Sequence, residues 1–138
     1  MAITKISSSI LEDLAITNSK ISSQAVTSDK VGSEFTGSSV LNPAATIDVS
    51  YTAGQIFTLT PNQNFTLNIT NPVVGVQKSI IVTGAGGSYT LALTVGGASG
   101  TFNKISGDYD DTSATKNLVS ILCVSATEFW YSISQIAT

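Results

Sequence analysis

A ten-residue repeat near the N-terminus constrains this chain more than any other sequence feature. Residues 15–24 read AITNSKISSQ and residues 25–34 read AVTSDKVGSE, so an aliphatic residue, a Thr and a Lys recur at matching positions. Within this region branched apolar residues recur every five positions, at Ile6, Leu11, Ile16, Ile21, Val26 and Val31. A helix needs apolar residues three and four apart and a half-buried strand needs them two apart. An isolated copy of the repeat therefore has no face to bury.

The segment 1–40 is accordingly predicted to be an N-terminal arm that acts in an oligomer. Several copies running side by side could bring a side chain from every fifth residue to a shared axis. We take the six branched residues as candidate oligomer and attachment contacts. Two alternatives stay open: a disordered Ser-rich tail, and one helical turn over 9–14, where Ser9 and Glu12 stand at capping-box spacing.

The pattern changes in the rest of the chain, which predicts one β domain over 41–138. Phe65, Leu67 and Ile69 alternate with polar residues, as in a half-buried strand. Glycine-rich stretches at 84–87 and 96–100 supply turn positions. The strand-like runs are 46–51, 55–60, 64–70, 78–83, 88–95, 101–105, 116–125 and 128–136. Because no helical period separates them, we expect an all-β fold, specifically an antiparallel β-sandwich or jelly roll.

The last two runs are apolar on both faces. Residues 118–124 form an apolar run that predicts a central strand or a subunit contact, with Cys123 as a buried thiol. In the final run, Phe129, Trp130 and Tyr131 place aromatic rings on both sides of one strand. We expect one side to fill the core and the other to meet a neighbouring subunit.

Neutral polar side chains, rather than charges, make this chain hydrophilic. Charged residues make up 11% of the sequence, against roughly 25% in typical domains, while the chain holds 20 Ser and 18 Thr. Neutral groups lose less than charges when a partner removes their water, which favours subunit contacts. A net charge of -3 with no Arg gives no basic patch, so nucleic-acid binding is not expected. Without a signal peptide or a long apolar run, we expect synthesis in the cytoplasm and no membrane insertion.

Catalytic chemistry has few candidate residues here. The sequence has no His, no Arg and one Cys, so we predict no enzyme activity, no cofactor and no metal site. Asp108, Asp110 and Asp111 read as a solvated acidic turn; a Ca²⁺ site is the alternative, and a hydrolytic carboxylate pair a weaker one. We expect Tyr51, Tyr109 and Trp130 to pack in the core or at an interface; the alternative is that they contact a glycan, with Trp130 the first to test.

The repeat also carries a resemblance. Its residues are Ile3-Thr4-Lys5-Ile6, then Ala15-Ile16-Thr17 with Lys20-Ile21, then Ala25-Val26-Thr27 with Lys30-Val31. This arrangement resembles the N-terminal arms of tailed-bacteriophage fibre proteins. That resemblance implies a homotrimeric virion protein whose partners are other virion proteins, such as the major capsid or tail protein. It carries over no catalytic residue.

The short length favours particular members of that class. With two good repeats and no extended shaft, the chain is expected to be a capsid decoration (cement) protein, a head fibre or a short fibre. Its arm would attach to the particle and its β domain would be displayed on the surface. The alternative is a tail fibre tip module that binds a host-surface glycan.

Overall fold

The computed structural model describes residues 30–136, and the chain divides into two units, Met1–Val31 and Gly32–Thr138. Five of the predicted arm contacts lie outside the described residues, as does the predicted helical turn over 9–14. They are Ile6, Leu11, Ile16, Ile21 and Val26. The sixth, Val31, is half-buried.

Between residues 30 and 136 the chain forms one short helix and nine strands. The elements are α1 (Ser33–Thr36), β1 (Ser38–Val40), β2 (Thr46–Ser50), β3 (Ile56–Leu59), β4 (Phe65–Thr70), β5 (Gln77–Thr83), β6 (Leu91–Val95), β7 (Thr101–Ser106), β8 (Lys116–Cys123) and β9 (Glu128–Ile136). Over this range no helix is long and apolar enough to cross a membrane.

The strands form two sheets that share one core. The larger sheet has the order β1-β3-β5-β8-β9-β7, and the smaller has the order β2-β4-β6. From β1 to β7 successive strands therefore alternate between the two sheets. Neighbours β1, β3 and β5 are parallel, as are β2, β4 and β6. Over β1–β6 the alternation gives the unit Gly32–Thr138, which we call the β unit, a solenoid-like winding with two strands per turn.

The all-β prediction is confirmed, but the strand pairing differs from the predicted antiparallel sandwich or jelly roll. Among the described residues five of the seven strand pairings are parallel, and only β5–β8 and β8–β9 are antiparallel. Parallel neighbours need a long connection, which is usually a helix. Here four of the five parallel pairs are connected through a strand of the opposite sheet, and β7 and β9 are connected through β8 of their own sheet. The absence of a helical period therefore does not imply antiparallel pairing.

The core lies between the sheets and consists of alternating strand residues. The smaller sheet contributes the predicted residues Phe65, Leu67 and Ile69, all at most 2% exposed. The larger sheet contributes Phe57, Ile80, Val82, Val119, Ile121 and Phe129. Cys123 is fully buried and β8 lies inside its sheet, as predicted.

The β unit begins earlier in the chain than residue 41, the predicted domain start. β1 pairs in parallel with β3, with Ser38 opposite Ile56 and Val40 opposite Thr58. Residues 38–40 are therefore part of the larger sheet. A three-residue strand surrounded by Gly, Ser and Pro is too short to show a two-residue alternation.

Candidate interaction surfaces

The outer face of the larger sheet, the side turned away from the core, carries large apolar side chains. Its outward positions include Val40, Ile56, Ile81, Leu118, Leu122, Trp130 and Ile136. Val40 is 82% exposed, Ile136 69% and Trp130 45%. We call this surface the outer face. Large apolar side chains grouped in this way on one surface mark an interaction site more often than scattered ones do.

Strand register gathers these side chains into adjacent pairs. Ile81 lies opposite Leu118, and Leu122 lies opposite Trp130. A shallow hollow of about 440 Å³ on the same face is lined by Ile81, Lys116, Leu118 and Ile136. The apolar side chains of these strands therefore form two groups, one around Ile81 and Leu118 and the other around Leu122 and Trp130.

Neutral polar groups fill most of the remaining positions on the outer face. Ser79, Ser120 and Ser132 stand opposite one another on β5, β8 and β9 and form a row of hydroxyl groups. Two charged side chains, those of Lys116 and Glu128, also occupy outward positions on these strands, and each has a hydrogen-bond partner. Lys116 donates from Nζ to Thr83 Oγ1 at 2.7 Å, and Glu128 Oε1 accepts from Trp130 Nε1 at 3.1 Å.

The smaller sheet presents a different outer surface. Asp48, Asn68 and Thr94 lie side by side on its three strands. Asn68 Nδ2 donates to Asp48 Oδ1 at 2.7 Å, and Thr94 Oγ1 donates to Asn68 Oδ1 at 3.1 Å. These three side chains therefore form a hydrogen-bonded ladder across the smaller sheet. The two outer surfaces of the β unit are thus chemically distinct.

The three candidate glycan contacts occupy three different environments. Tyr51 is fully buried and donates from its hydroxyl to the carbonyl oxygen of Ile121 at 3.0 Å, so it is a core residue. Tyr109 is half-buried and donates to Asp111 Oδ1 at 2.7 Å. Trp130 lies on the outer face. The structure does not bring the three rings together.

A groove of about 350 Å³ opens where the smaller sheet ends. That sheet stops at β6, whereas the larger sheet continues beyond β5 with β8, β9 and β7. The apolar lining of the groove consists of Leu91, Ala92, Leu93, Phe102, Tyr109, Tyr131 and Ile133. Lys104 and Asp108 complete the lining with one positive and one negative charge.

The predicted acidic turn separates into three carboxylates with different roles. Asp111 is 8% exposed and accepts backbone N–H bonds from Ala85, Gly87 and Tyr89, all at 2.9–3.0 Å. It thereby fixes the loop that follows β5. Asp108 pairs instead with Lys104 and is mostly exposed.

Hydrogen bonding decides the protonation of Asp111. Burial by itself would raise the pKa of this carboxyl, but the N–H donors of Ala85, Tyr89 and Gly87 and the Tyr109 hydroxyl together lower it. Asp110 is exposed, and the Thr112 backbone and side chain lower its pKa. Over residues 30–136 no group of three or more His, Cys, Asp or Glu side chains is arranged to hold a metal ion.

A buried lysine is one of the polar core residues that sequence reasoning missed. Lys78 is fully buried, its Nζ donates to the backbone carbonyl oxygen of Glu34, and it lies 5.6 Å from the Tyr51 ring centroid. Burial lowers the Lys78 pKa, and the Glu34 carboxylate partly offsets this effect. The sequence did contain one indication that Lys78 is buried. Lys78 stands two residues before Ile80 and four before Val82, so in a strand all three side chains point inward.

Comparisons with protein-family models, with curated proteins and with solved structures gave no match.

Proposed function

We propose that this protein is a non-catalytic structural component of a tailed-phage virion, either a homotrimeric capsid decoration protein or a short fibre protein. The observation that carries the proposal is the nearly uncharged apolar outer face of the larger sheet. The ten-residue repeat supports it through its resemblance to fibre arms. In this proposal the arm attaches to the major capsid or tail protein and the β domain is displayed.

The outer face is suited to burial against another copy of the chain. Each large apolar side chain that moves from water to full burial contributes about 1.5–3 kcal/mol to the free energy of association, before the loss of conformational entropy is subtracted. The hydroxyl groups of Ser79, Ser120 and Ser132 can exchange water for hydrogen bonds across an interface at little net cost. We therefore assign Trp130, which lies among these residues, to a subunit contact.

The width of the face is compatible with a closed ring of three. Val40 and Ile56 lie at the β1–β3 end of the sheet, and Trp130 and Ile136 lie on β9 near the other end. In a ring, one patch of each copy meets a different patch of the next copy. The two ends of the outer face supply two such patches, whereas a twofold dimer would need only one.

Trimer formation would also strengthen attachment through the arms. Three arms on one trimer act together, because binding of the first raises the effective concentration of the other two. No single arm then needs high affinity. This arrangement suits a protein that covers the seams between capsid subunits.

A charge placed in the centre of the outer face tests the assembly. In the full chain we expect Leu118→Lys to abolish self-association, because an unpaired ammonium group would be desolvated opposite Ile81. Val74→Lys is the matched control, since Val74 is 62% exposed and lies between β4 and β5. Sedimentation velocity compares the two variants with the parent, and circular dichroism verifies that both are folded. Loss of association in both variants, or in neither, would contradict the proposed interface.

Particles that lack the protein distinguish the two virion roles. Loss of capsid stability with normal host adsorption supports decoration, and loss of adsorption with normal capsid stability supports a short fibre. Particles that are unchanged in both assays, although the protein is absent, would refute the virion role.

A further inference from the structure

The groove between β6 and β7 combines ring surfaces with hydrogen-bonding groups. Its volume of about 350 Å³ lies in the range of small-molecule sites, roughly 300–1,000 Å³. Phe102, Tyr109 and Tyr131 supply aromatic surface, and Lys104 and Asp108 supply a donor and an acceptor. This composition suits a ligand that has both C–H faces and hydroxyl groups.

The rings of this groove are held in place by the core. Phe102 stacks on Phe129 with a centroid distance of 5.1 Å and an interplanar angle of 15°. Tyr109 packs edge-on against Phe65 at 5.5 Å, and its hydroxyl is bound to Asp111. A ligand that binds here does not have to order these two side chains. Such preorganisation favours binding of a small, weakly interacting molecule.

The charges of the groove narrow the class of ligand. Lys104 and Asp108 form an ion pair with side-chain exposures of 44% and 87%. Because they neutralise each other, neither a phosphate nor a metal cation finds an excess of opposite charge. A wholly apolar ligand would remove water from both charged groups and offer no hydrogen bond in return. A neutral polyhydroxylated ligand can accept from the ammonium group and donate to the carboxylate at the same time.

We propose that this groove binds a neutral saccharide. One pyranose ring lies with its C–H face on the aromatic lining, while its hydroxyl groups bind Lys104 and Asp108. The groove and the outer face lie on opposite sides of the larger sheet, because Tyr131 and Trp130 are consecutive residues of β9 whose side chains point to opposite sides. Sugar binding in the groove therefore does not depend on subunit assembly. It moves the expected glycan contact from Trp130 to the groove.

Saturation-transfer NMR on the full chain tests the site. The probes are glucose, galactose, mannose and N-acetylglucosamine, each at millimolar concentration. We expect transfer to at least one of these sugars. Asp108→Asn should weaken the binding of that sugar roughly tenfold, since the substitution removes one charge-assisted hydrogen bond. Lys116→Ala is the matched control, because Lys116 lies on the outer face and should leave sugar binding unchanged.

Three results would overturn the saccharide site. They are no transfer to any of the four sugars, equal affinity in the Asp108→Asn variant, and a loss of affinity in Lys116→Ala equal to that in Asp108→Asn. Because Asp108 is highly exposed, circular dichroism of its variant should match that of the parent. Subunit assembly is measured separately by sedimentation, so failure of the saccharide site and failure of the trimer are distinguishable.

Discussion

The ammonium group of Lys78 donates a hydrogen bond to the backbone carbonyl oxygen of Glu34, joining the interior of β5 to the start of the β unit. Lys78 is fully buried, and the ring of Tyr51 lies beside its ammonium group. A buried charge is costly unless it has such partners. The contact therefore ties α1, which has no buried residue of its own, to the sheet.

Replacing Lys78 should destabilise the β unit. In Lys78→Met the Glu34 carbonyl loses its donor, and we expect a loss of about 1–3 kcal/mol in the free energy of unfolding. Lys78→Ala should lose more, because it also leaves a cavity. Urea titration at fixed protein concentration measures both, with the exposed Lys104→Met as control. A Lys78→Met protein as stable as the parent would contradict the structural role of this bond.

Asp111 should make the stability of the β unit sensitive to acid. Its folded-state pKa is lowered from 3.8, so its stabilising contribution is complete above that value and is lost as the pH falls through the folded-state pKa. We expect Asp111→Asn to lose about 1.5–3 kcal/mol near neutral pH and to lack most of this acid dependence. Urea titrations at pH values above and below 3.8 measure the effect. The Asp108→Asn control should stay close to the parent, and an identical acid dependence in Asp111→Asn would contradict the prediction.

The thiol of Cys123 should be unreactive in the folded protein. Burial raises its pKa, the side chain is fully buried, and Sγ lies 3.2 Å from the carbonyl oxygen of Ser125. Reaction requires an exposed thiolate. We expect negligible labelling by a thiol reagent at neutral pH in native buffer and complete labelling in urea. Rapid labelling of the native protein would show that the strand β8 opens readily.

Trp130 offers a direct optical signal for the outer face, since it is the single Trp of the chain. In an assembled protein its ring should be shielded from acrylamide, although the isolated chain leaves it 45% exposed. We expect Leu118→Lys to increase quenching severalfold, while Val74→Lys leaves it unchanged. Equal quenching in the parent and in Leu118→Lys would place Trp130 outside the subunit contact.

Much of the strand layout could be predicted from the sequence. The alternation of Phe65, Leu67 and Ile69 identified the inward side of β4, and the last predicted run matches β9 at 128–136. The glycine stretches were correctly identified as turns, since Gly86 and Gly96 have φ angles of 79° and 58°. Strand pairing was not predictable in the same way. Alternation shows which residues face inward but not which strand lies alongside, so parallel winding was missed.

The candidate surfaces were predictable only in part. The apolar run around Leu118 indicated that both faces of β8 are apolar. One face of this central strand packs in the core, and the other is exposed because no further layer covers it. The groove was not predictable, since Phe102 and Tyr131 come together only because β7 pairs in parallel with β9. The sequence predicted that Asp111 lies in a solvated acidic turn with Asp108 and Asp110. In the structure its side chain instead points inward and binds the loop at 85–89.

The molar mass of the full chain in solution, measured by light scattering over a range of concentrations, tests the central claim most directly. The claim is that this protein associates with its own copies through the outer face. We expect three times the 14.3 kDa of one chain, the mass of a homotrimer. A mass of 14.3 kDa at every concentration would contradict self-assembly.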